Sequence, residues 1–233
     1  MKANILKTIV AATMVLTPMS AMAQWKIGIE GGATLNTLLV SKCYDYDRHY
    51  TGGTNGIIAI PVRYDFQDWF GLQAEVSYFA RSYSMYRSEI FEGNYYNYTN
   101  SYLDVPIMAR FSFGGRKVRG YVLAGGFLGA WMDSNVEGNQ MRYFQQNPDT
   151  PYTNHHFDEN VPFDSRRDNR LDAGLACALG LEYQFAERFS VFAEGRYLYS
   201  LTDMQKDYMM KRPSKHNSTF VVQAGFMFTI KSK

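Results

Sequence analysis

The chain has 233 residues, of which 46% are hydrophobic, 20% charged and 16% aromatic. This length suits a single domain, and the many Tyr, Phe and Gly residues favour strands and turns over a helical bundle. Two cysteines exclude a disulfide framework and a four-cysteine zinc site. The formal net charge of +2 falls to zero without Lys2 and Lys7, so no basic field favours nucleic-acid binding.

The N-terminal segment has the pattern of a secretory signal peptide. Lys2 and Lys7 precede a short apolar core at residues 9–16, and Ala21-Met22-Ala23 matches the small-residue cleavage pattern. The apolar run is shorter than the roughly 20 residues that a membrane-spanning helix needs. We therefore expect residues 1–23 to be a signal peptide and residues 24–233 to form one exported domain.

Alternation of apolar with polar or small residues predicts eight strands in this domain. They cover residues 25–36, 56–66, 70–81, 102–113, 118–132, 171–185, 189–201 and 219–230. The fifth strand is rich in glycine and its two faces are the least distinct. Its bulky, outward face is expected to carry Tyr121, Leu123, Phe127 and Trp131.

The lengths of the connections also alternate. Residues 67–69, 114–117 and 186–188 form short turns, whereas the other four connections are long and polar, and the longest covers residues 133–170. Short periplasmic turns and long extracellular loops are typical of outer-membrane barrels, and an even number of strands places both termini in the periplasm. The predicted fold is all-β, an eight-stranded antiparallel up-and-down transmembrane β-barrel.

The distribution of charge indicates which face lies outside. Period-two alternation alone would also fit a soluble, lipocalin-like barrel with an apolar interior. The bulky faces, however, carry no Asp, Glu, Lys or Arg, as expected if a charge facing the lipid midplane costs roughly 2–4 kcal/mol. We expect the opposite faces to form a charge network in the lumen. Its members are Glu30, Arg63, Asp65, Glu75, Arg81, Asp104, Arg110, Asp172, Glu182, Glu194 and Arg196.

Three segments carry a resemblance to a known family. They are YLDVPI at residues 102–107, GYVLAGG at 120–126 and YLYSLTD at 197–203. In their order and spacing they resemble the small porin-like or PorT-like outer-membrane β-barrel proteins of Bacteroidetes. The C-terminus departs from the common pattern, because Phe228 is followed by five further residues instead of ending the chain. The family is functionally mixed, so the resemblance implies fold and location more than activity.

The expected function is a structural role or a role in adhesion and recognition. Side chains fill the interior of an eight-stranded barrel, so the charges are interpreted as a mutually neutralising plug; a gated ion path or a proton relay is the alternative. Tyrosine-rich loops are expected either to contact an extracellular ligand or protein or to be solvated loops whose tyrosines anchor at the membrane interface, while lipid surrounds the barrel. The candidate loop residues are Tyr44, Tyr46, Tyr50, Tyr95, Tyr96 and Tyr98. Alternative functions are a narrow gated channel and, from the resemblance only, an accessory component of protein secretion.

Catalysis is not expected. All four histidines are expected in the long loops. His216-Asn217-Ser218 superficially resembles the His-x-Ser of outer-membrane lipid A deacylases, but the last strand offers only Gln223 where a triad needs a carboxylate.

No metal site or cofactor is expected either. His155 and His156 lie near two carboxylates that suit zinc or copper, but adjacent residues on a loop seldom form a closed site, so a solvated loop is favoured. Cys43 and Cys177 are expected to be too far apart for a disulfide bond.

Overall fold

The computed structural model describes residues 24–41, 47–141, 154–206 and 213–230. This part of the chain forms nine antiparallel strands and a 3-10 helix at Glu89–Phe91. The strands are β1 Gln24–Val40, β2 Arg48–Asp65, β3 Phe70–Arg87, β4 Tyr95–Gly114, β5 Val118–Met141, β6 Asn154–Asn160, β7 Leu171–Gln184, β8 Phe189–Ser200 and β9 Lys215–Ile230. No helix among these residues is long and apolar enough to cross a membrane.

Eight of the strands close into a ring. β1 pairs with β2 and with β9, and β4 pairs with β5, so the sheet has the circular order β1-β2-β3-β4-β5-β7-β8-β9. Every pairing is antiparallel, and β2–β3, β4–β5 and β7–β8 are joined by the short turns. The eight-stranded up-and-down barrel predicted from the sequence is confirmed.

The strands extend further toward the long connections than the sequence predicted. β2 begins at Arg48, β3 ends at Arg87, β4 begins at Tyr95 and β9 begins at Lys215. These extensions are rich in tyrosine, serine, threonine and asparagine, so apolar periodicity does not detect the strands, although such residues pair well across a sheet. The remaining strand ends differ from the predicted ones by one or two residues, except that β1 and β5 also extend further, to Val40 and Met141.

The longest connection contains a strand that was expected to be loop. β6 pairs with the extension of β5, from Asn135 opposite Asn160 to Met141 opposite Asn154. It lies outside the closed ring and covers only the end of β5. The expectation that all four histidines lie in loops was therefore wrong. They lie in strands: His49 in β2, His155 and His156 in β6, and His216 in β9.

The outer face of the barrel is apolar and the inner face is polar and charged. Leu179 is 70% exposed on the outside, whereas Ala178 and Gly180 beside it are buried inside. The short-turn end carries outward aromatic groups in contact with one another: the ring centroids of Trp69 and Phe111 are 6.3 Å apart, and those of Phe185 and Phe189 also 6.3 Å. Such a band with an aromatic border suits lipid hydrocarbon.

The predicted faces of β5 were wrong. Tyr121, Leu123, Phe127 and Trp131 are all buried inside the barrel, and residues such as Val122 and Leu128 face outward. Room for the large rings comes from β7, which places Gly180 opposite Tyr121 and Gly174 opposite Phe127. A Cβ atom at either glycine would collide with the facing ring. The sequence of β5 alone, with glycine on both faces, does not reveal this complementarity.

Leu179→Arg tests the assignment of the outer face. A charge at this position faces lipid, and if the residue lies near the bilayer midplane the barrel is destabilised by roughly 2–4 kcal/mol. We expect loss of the heat-modifiable folded band when the variant is refolded into lipid vesicles. Leu179→Met, which keeps the surface apolar, is the control and should fold as the unsubstituted protein does. Normal folding of Leu179→Arg would show that this face does not contact hydrocarbon.

Candidate functional site

The inward charges form three clusters along the barrel axis. The lower cluster lies at the short-turn end. Arg63 donates two hydrogen bonds to Glu182, each 2.9 Å long, and Arg110 Nη2 donates a third at 2.6 Å. At the rim, Lys26 Nζ lies 3.0 Å from Asp65, which also lies 3.2 Å from Arg63 Nε. Glu182 is thus held between two guanidinium groups.

The middle cluster is centred on Arg196. Its guanidinium donates to both carboxylate oxygens of Glu75 and, from Nε at 2.9 Å and Nη2 at 2.7 Å, to Glu194. The Tyr121 hydroxyl donates a further hydrogen bond to Glu194 at 3.0 Å. Glu30 lies 3.9 Å from Arg196, and neither of its buried carboxylate oxygens has a hydrogen-bond partner among the described residues. Three carboxylates therefore surround one guanidinium.

The upper cluster joins one arginine to two aspartates. Arg81 donates to Asp104 and to Asp172, each at 2.5 Å, and its guanidinium carbon lies 4.3 Å from the centre of the Tyr102 ring. Ser200 donates a hydrogen bond to Asp172 as well, at 2.8 Å. Every charge in this cluster has an opposite charge in direct contact.

All eleven residues that the sequence assigned to the lumen face inward, and all except Asp65 at the rim are buried. Several of the contacts join strands on opposite sides of the ring. Arg63 of β2 contacts Glu182 of β7, and Arg196 of β8 contacts Glu75 of β3. These ion pairs cross the lumen. The sequence could not assign them, because the partners are 119 and 121 residues apart.

Removal of the central guanidinium tests the middle cluster. Arg196→Met leaves Glu75 and Glu194 buried without their cation, so we expect a loss of about 3–5 kcal/mol in the free energy of unfolding. Urea unfolding in lipid vesicles measures it. The double variant Arg196→Met/Glu75→Gln should recover part of the loss, since fewer uncompensated charges remain.

Two controls accompany this measurement. Arg188→Met, at an exposed turn, should change stability by no more than about 0.5 kcal/mol. Glu30→Gln should be tolerated better than Glu75→Gln, because Glu75 accepts hydrogen bonds from Arg196 and Glu30 does not. Equal effects of Arg196→Met and Arg188→Met would contradict an enclosed charge network.

Above the upper cluster, the barrel opens into a cavity of about 350 Å³ at the end opposite the short turns, here called the cup. Aromatic and basic side chains dominate its lining. The aromatic residues are Tyr50, Tyr83, Tyr96, Tyr98 and Trp131. The charged residues among those described are Arg48, Arg87, Arg167, Lys215 and Asp168. The cup thus combines flat rings with a surplus of positive charge.

The aromatic wall is a packed array. The Tyr83 and Tyr98 rings are stacked with centroids 5.0 Å apart, and Tyr50 lies 6.4 Å from Tyr83. Below them, Trp131 stacks on Tyr102 with a centroid separation of 6.0 Å. Because each ring is supported by another, the wall is held in place by side-chain packing.

The tyrosines proposed from the sequence fall into three groups. Tyr50, Tyr96 and Tyr98 line the cup, but they lie in strands β2 and β4 and not in loops. Tyr95 is in β4 too, and it faces the outside of the barrel with 38% exposure. Tyr44 and Tyr46 lie outside the described residues. Sequence reasoning missed Tyr83 and Trp131 and the four basic residues, since no local pattern shows that seven separate segments meet at one end of the barrel.

Two aspartates in the connections orient arginines of the cup. Asp47 accepts a hydrogen bond from Arg87 Nε at 2.7 Å, which lowers the pKa of Asp47. Asp168 accepts bonds from Arg167 at 2.7 and 3.0 Å. Burial raises the pKa of Asp168, but the hydrogen bonds from Arg167 and from the Asp164 backbone amide outweigh it, so the pKa lies below its usual range. Both carboxylates are ionised at neutral pH and fix the arginines.

The other chemical motifs of the sequence do not form a site in the described residues. Ser218 lies in β9, and its hydroxyl is hydrogen-bonded to the Tyr197 hydroxyl at 2.8 Å. His156 lies 3.9 Å from Glu137 in an exposed pair, and no three His, Cys, Asp or Glu side chains in this part of the chain are placed to hold a metal ion. Cys177 is a free thiol on the outer face, and Cys43 lies outside the described residues.

A family model described as the outer membrane protein beta-barrel domain matches residues 19–206. The chain belongs to this family. Membership places it in the outer membrane, as a barrel whose apolar face contacts membrane lipid. A search of curated protein sequences gave no match.

Solved structures of outer-membrane proteins have a similar fold. OprG from Pseudomonas aeruginosa superposes with a TM-score of 0.52 at 12% identity, over 89% of this chain and 96% of that one. The outer-membrane protease OmpT from Escherichia coli gives 0.53 at 9% identity, over 89% and 97%. At these identities the likeness concerns the fold alone.

Proposed function

We propose that this protein is a non-enzymatic barrel whose lumen is closed by the three charged clusters and whose cup serves recognition outside the cell. The observation that carries the proposal is the set of ion pairs that cross the lumen at three levels. We also propose that the protein is related more closely to the porin-like or PorT-like proteins of Bacteroidetes. This part of the proposal rests on the segments at residues 102–107, 120–126 and 197–203.

The packing of the interior supports closure. Side chains are expected to fill a barrel of eight strands. Apolar side chains occupy space near the ion pairs, and Met108, Leu123 and Val221 are fully buried there. A permeating ion would have to separate Arg196 from Glu75, and this separation would leave buried charges without partners. These contacts favour a plug over an open path for ions.

The orientation follows from the two ends of the barrel. The ends of the described chain, Gln24 and Ile230, lie near the short turns, since Asp65 pairs with Gln24 and Trp25 with Ile230. Outer-membrane barrels have their short turns on the periplasmic side. We therefore place both termini in the periplasm and the cup at the cell surface.

The site chemistry supports recognition more than catalysis. Similarity to OmpT at 9% identity does not transfer its protease activity to this chain. The cup instead has aromatic rings with polar edges and several cations, groups that are common at binding surfaces. Below it, the closed lumen offers a bound molecule no passage. Recognition at the surface is the function that this arrangement suits.

Planar-bilayer recordings test the closed lumen. Purified protein, folded and inserted into the bilayer, should give no discrete and reproducible conductance steps at moderate voltage. Arg196→Met, if it folds, is the informative variant, because loss of the central cation is the change best placed to open a path. Regular openings of the unsubstituted protein would instead support the alternative function of a narrow gated channel.

A further inference from the structure

We propose that the cup binds an anionic saccharide, that is, a sugar bearing sulfate or phosphate groups. This inference rests on the proposed function only in placing the cup outside the cell. It names the class of ligand that the proposed recognition function does not specify, and three features of the cup support it: its rings, its cations and its size.

The rings suit the apolar faces of sugars. Tyr96 and Tyr98 line the same cavity as Tyr83 and Trp131. A sugar ring has C–H groups on its faces and hydroxyls at its edge, so amphipathic aromatic side chains can stack on it and hydrogen-bond to it together. A purely inorganic anion would leave this wall unused.

The cations suit sulfate or phosphate. Arg48 and Arg87 are directly opposite each other on β2 and β3. Among the described residues that line the cup, four are basic and one is acidic, so the cavity favours an anion. Planar guanidinium groups bind the oxygens of sulfate and phosphate in pairs. Asp47 holds Arg87 and Asp168 holds Arg167, so these arginines are oriented before a ligand arrives.

The polar lining and the size complete the fit. Asn100 and Ser134 lie at the base of the cup, where Ser134 Oγ donates a hydrogen bond to Asn100 Oδ1 at 2.8 Å. The volume of about 350 Å³ is at the lower end of the range for small-molecule sites, roughly 300–1,000 Å³, and suits a small saccharide or one end of a longer glycan.

Calorimetry with the full barrel in phosphatidylcholine nanodiscs tests the inference. The probes are sulfated lactose, lactose and inorganic sulfate. Sulfated lactose should bind at least about tenfold more tightly than either of the others, the effect of one charge-assisted contact or more. Its affinity should fall as salt is raised, because the rim of the cup is open to solvent.

Matched variants locate the binding. Arg48→Gln/Lys215→Gln should weaken binding of sulfated lactose by about tenfold or more, whereas Arg116→Gln/Lys117→Gln, with the same charge change at the opposite end, should not. Tyr96→Leu should weaken it too, while Tyr95→Leu on the outer face should leave it unchanged. Heat-modifiability of each variant shows that the barrel has folded.

Two sources share this ligand chemistry: a soluble glycan and the phosphorylated core of lipopolysaccharide. Nanodiscs that contain lipopolysaccharide separate them. Reduced affinity for sulfated lactose would show that lipopolysaccharide occupies the cup, and unchanged affinity would assign the cup to soluble glycans. Absence of binding by a folded, non-conducting barrel, or equal binding by Arg48→Gln/Lys215→Gln, would overturn the saccharide inference and leave the closed lumen untouched.

Discussion

The pairing of charges inside a narrow closed sheet is the constraint on which the rest of the structure depends. The outer face must be apolar to contact lipid, so the charged side chains at the level of the apolar band are directed inward. There they are removed from water, and opposite charges close by offset the cost of their burial. Arg63, Arg81 and Arg196 each contact at least one carboxylate from a distant strand. The same ion pairs therefore neutralise the buried charges and cross the lumen.

The interior also depends on steric complementarity between neighbouring strands. The rings of Tyr121 and Phe127 fit because β7 offers Gly180 and Gly174 at the facing positions. Tyr121 in turn contacts both ionic clusters nearby: its ring lies 3.5 Å from the guanidinium of Arg110, and its hydroxyl donates to Glu194. Packing and electrostatics therefore support each other across the barrel. Above these layers the interior of the barrel widens into the cup, which is lined by a similar mixture of aromatic rings and arginines.

Much of the fold could be predicted from the sequence, and the limits have physical causes. Strict alternation, as around Leu179 and Glu182 in β7, follows from a difference in solvent between the two faces and was predicted correctly. That difference vanishes where strands rise beyond the apolar band, so the extensions around Tyr50 and Tyr96 were taken for loops. In β5 glycine occurs on both faces, and its inward side could be assigned only from β7. Contacts across the lumen and the composition of the cup depend on closure of the ring, for which no local pattern exists.

The central claim is that the charged face is enclosed and the apolar face contacts lipid. Phe192 of β8 and Phe226 of β9 test it directly, because they lie at adjacent rungs of one strand pair, with Phe192 buried inside and Phe226 60% exposed outside. Phe192→Trp and Phe226→Trp, each made where Trp25, Trp69 and Trp131 are replaced by Phe, report the two faces at one depth. With brominated lipid as quencher, the fluorescence of Trp at position 226 should be strongly reduced and that at position 192 nearly unchanged. Equal quenching at both positions, or stronger quenching at 192, would contradict the account.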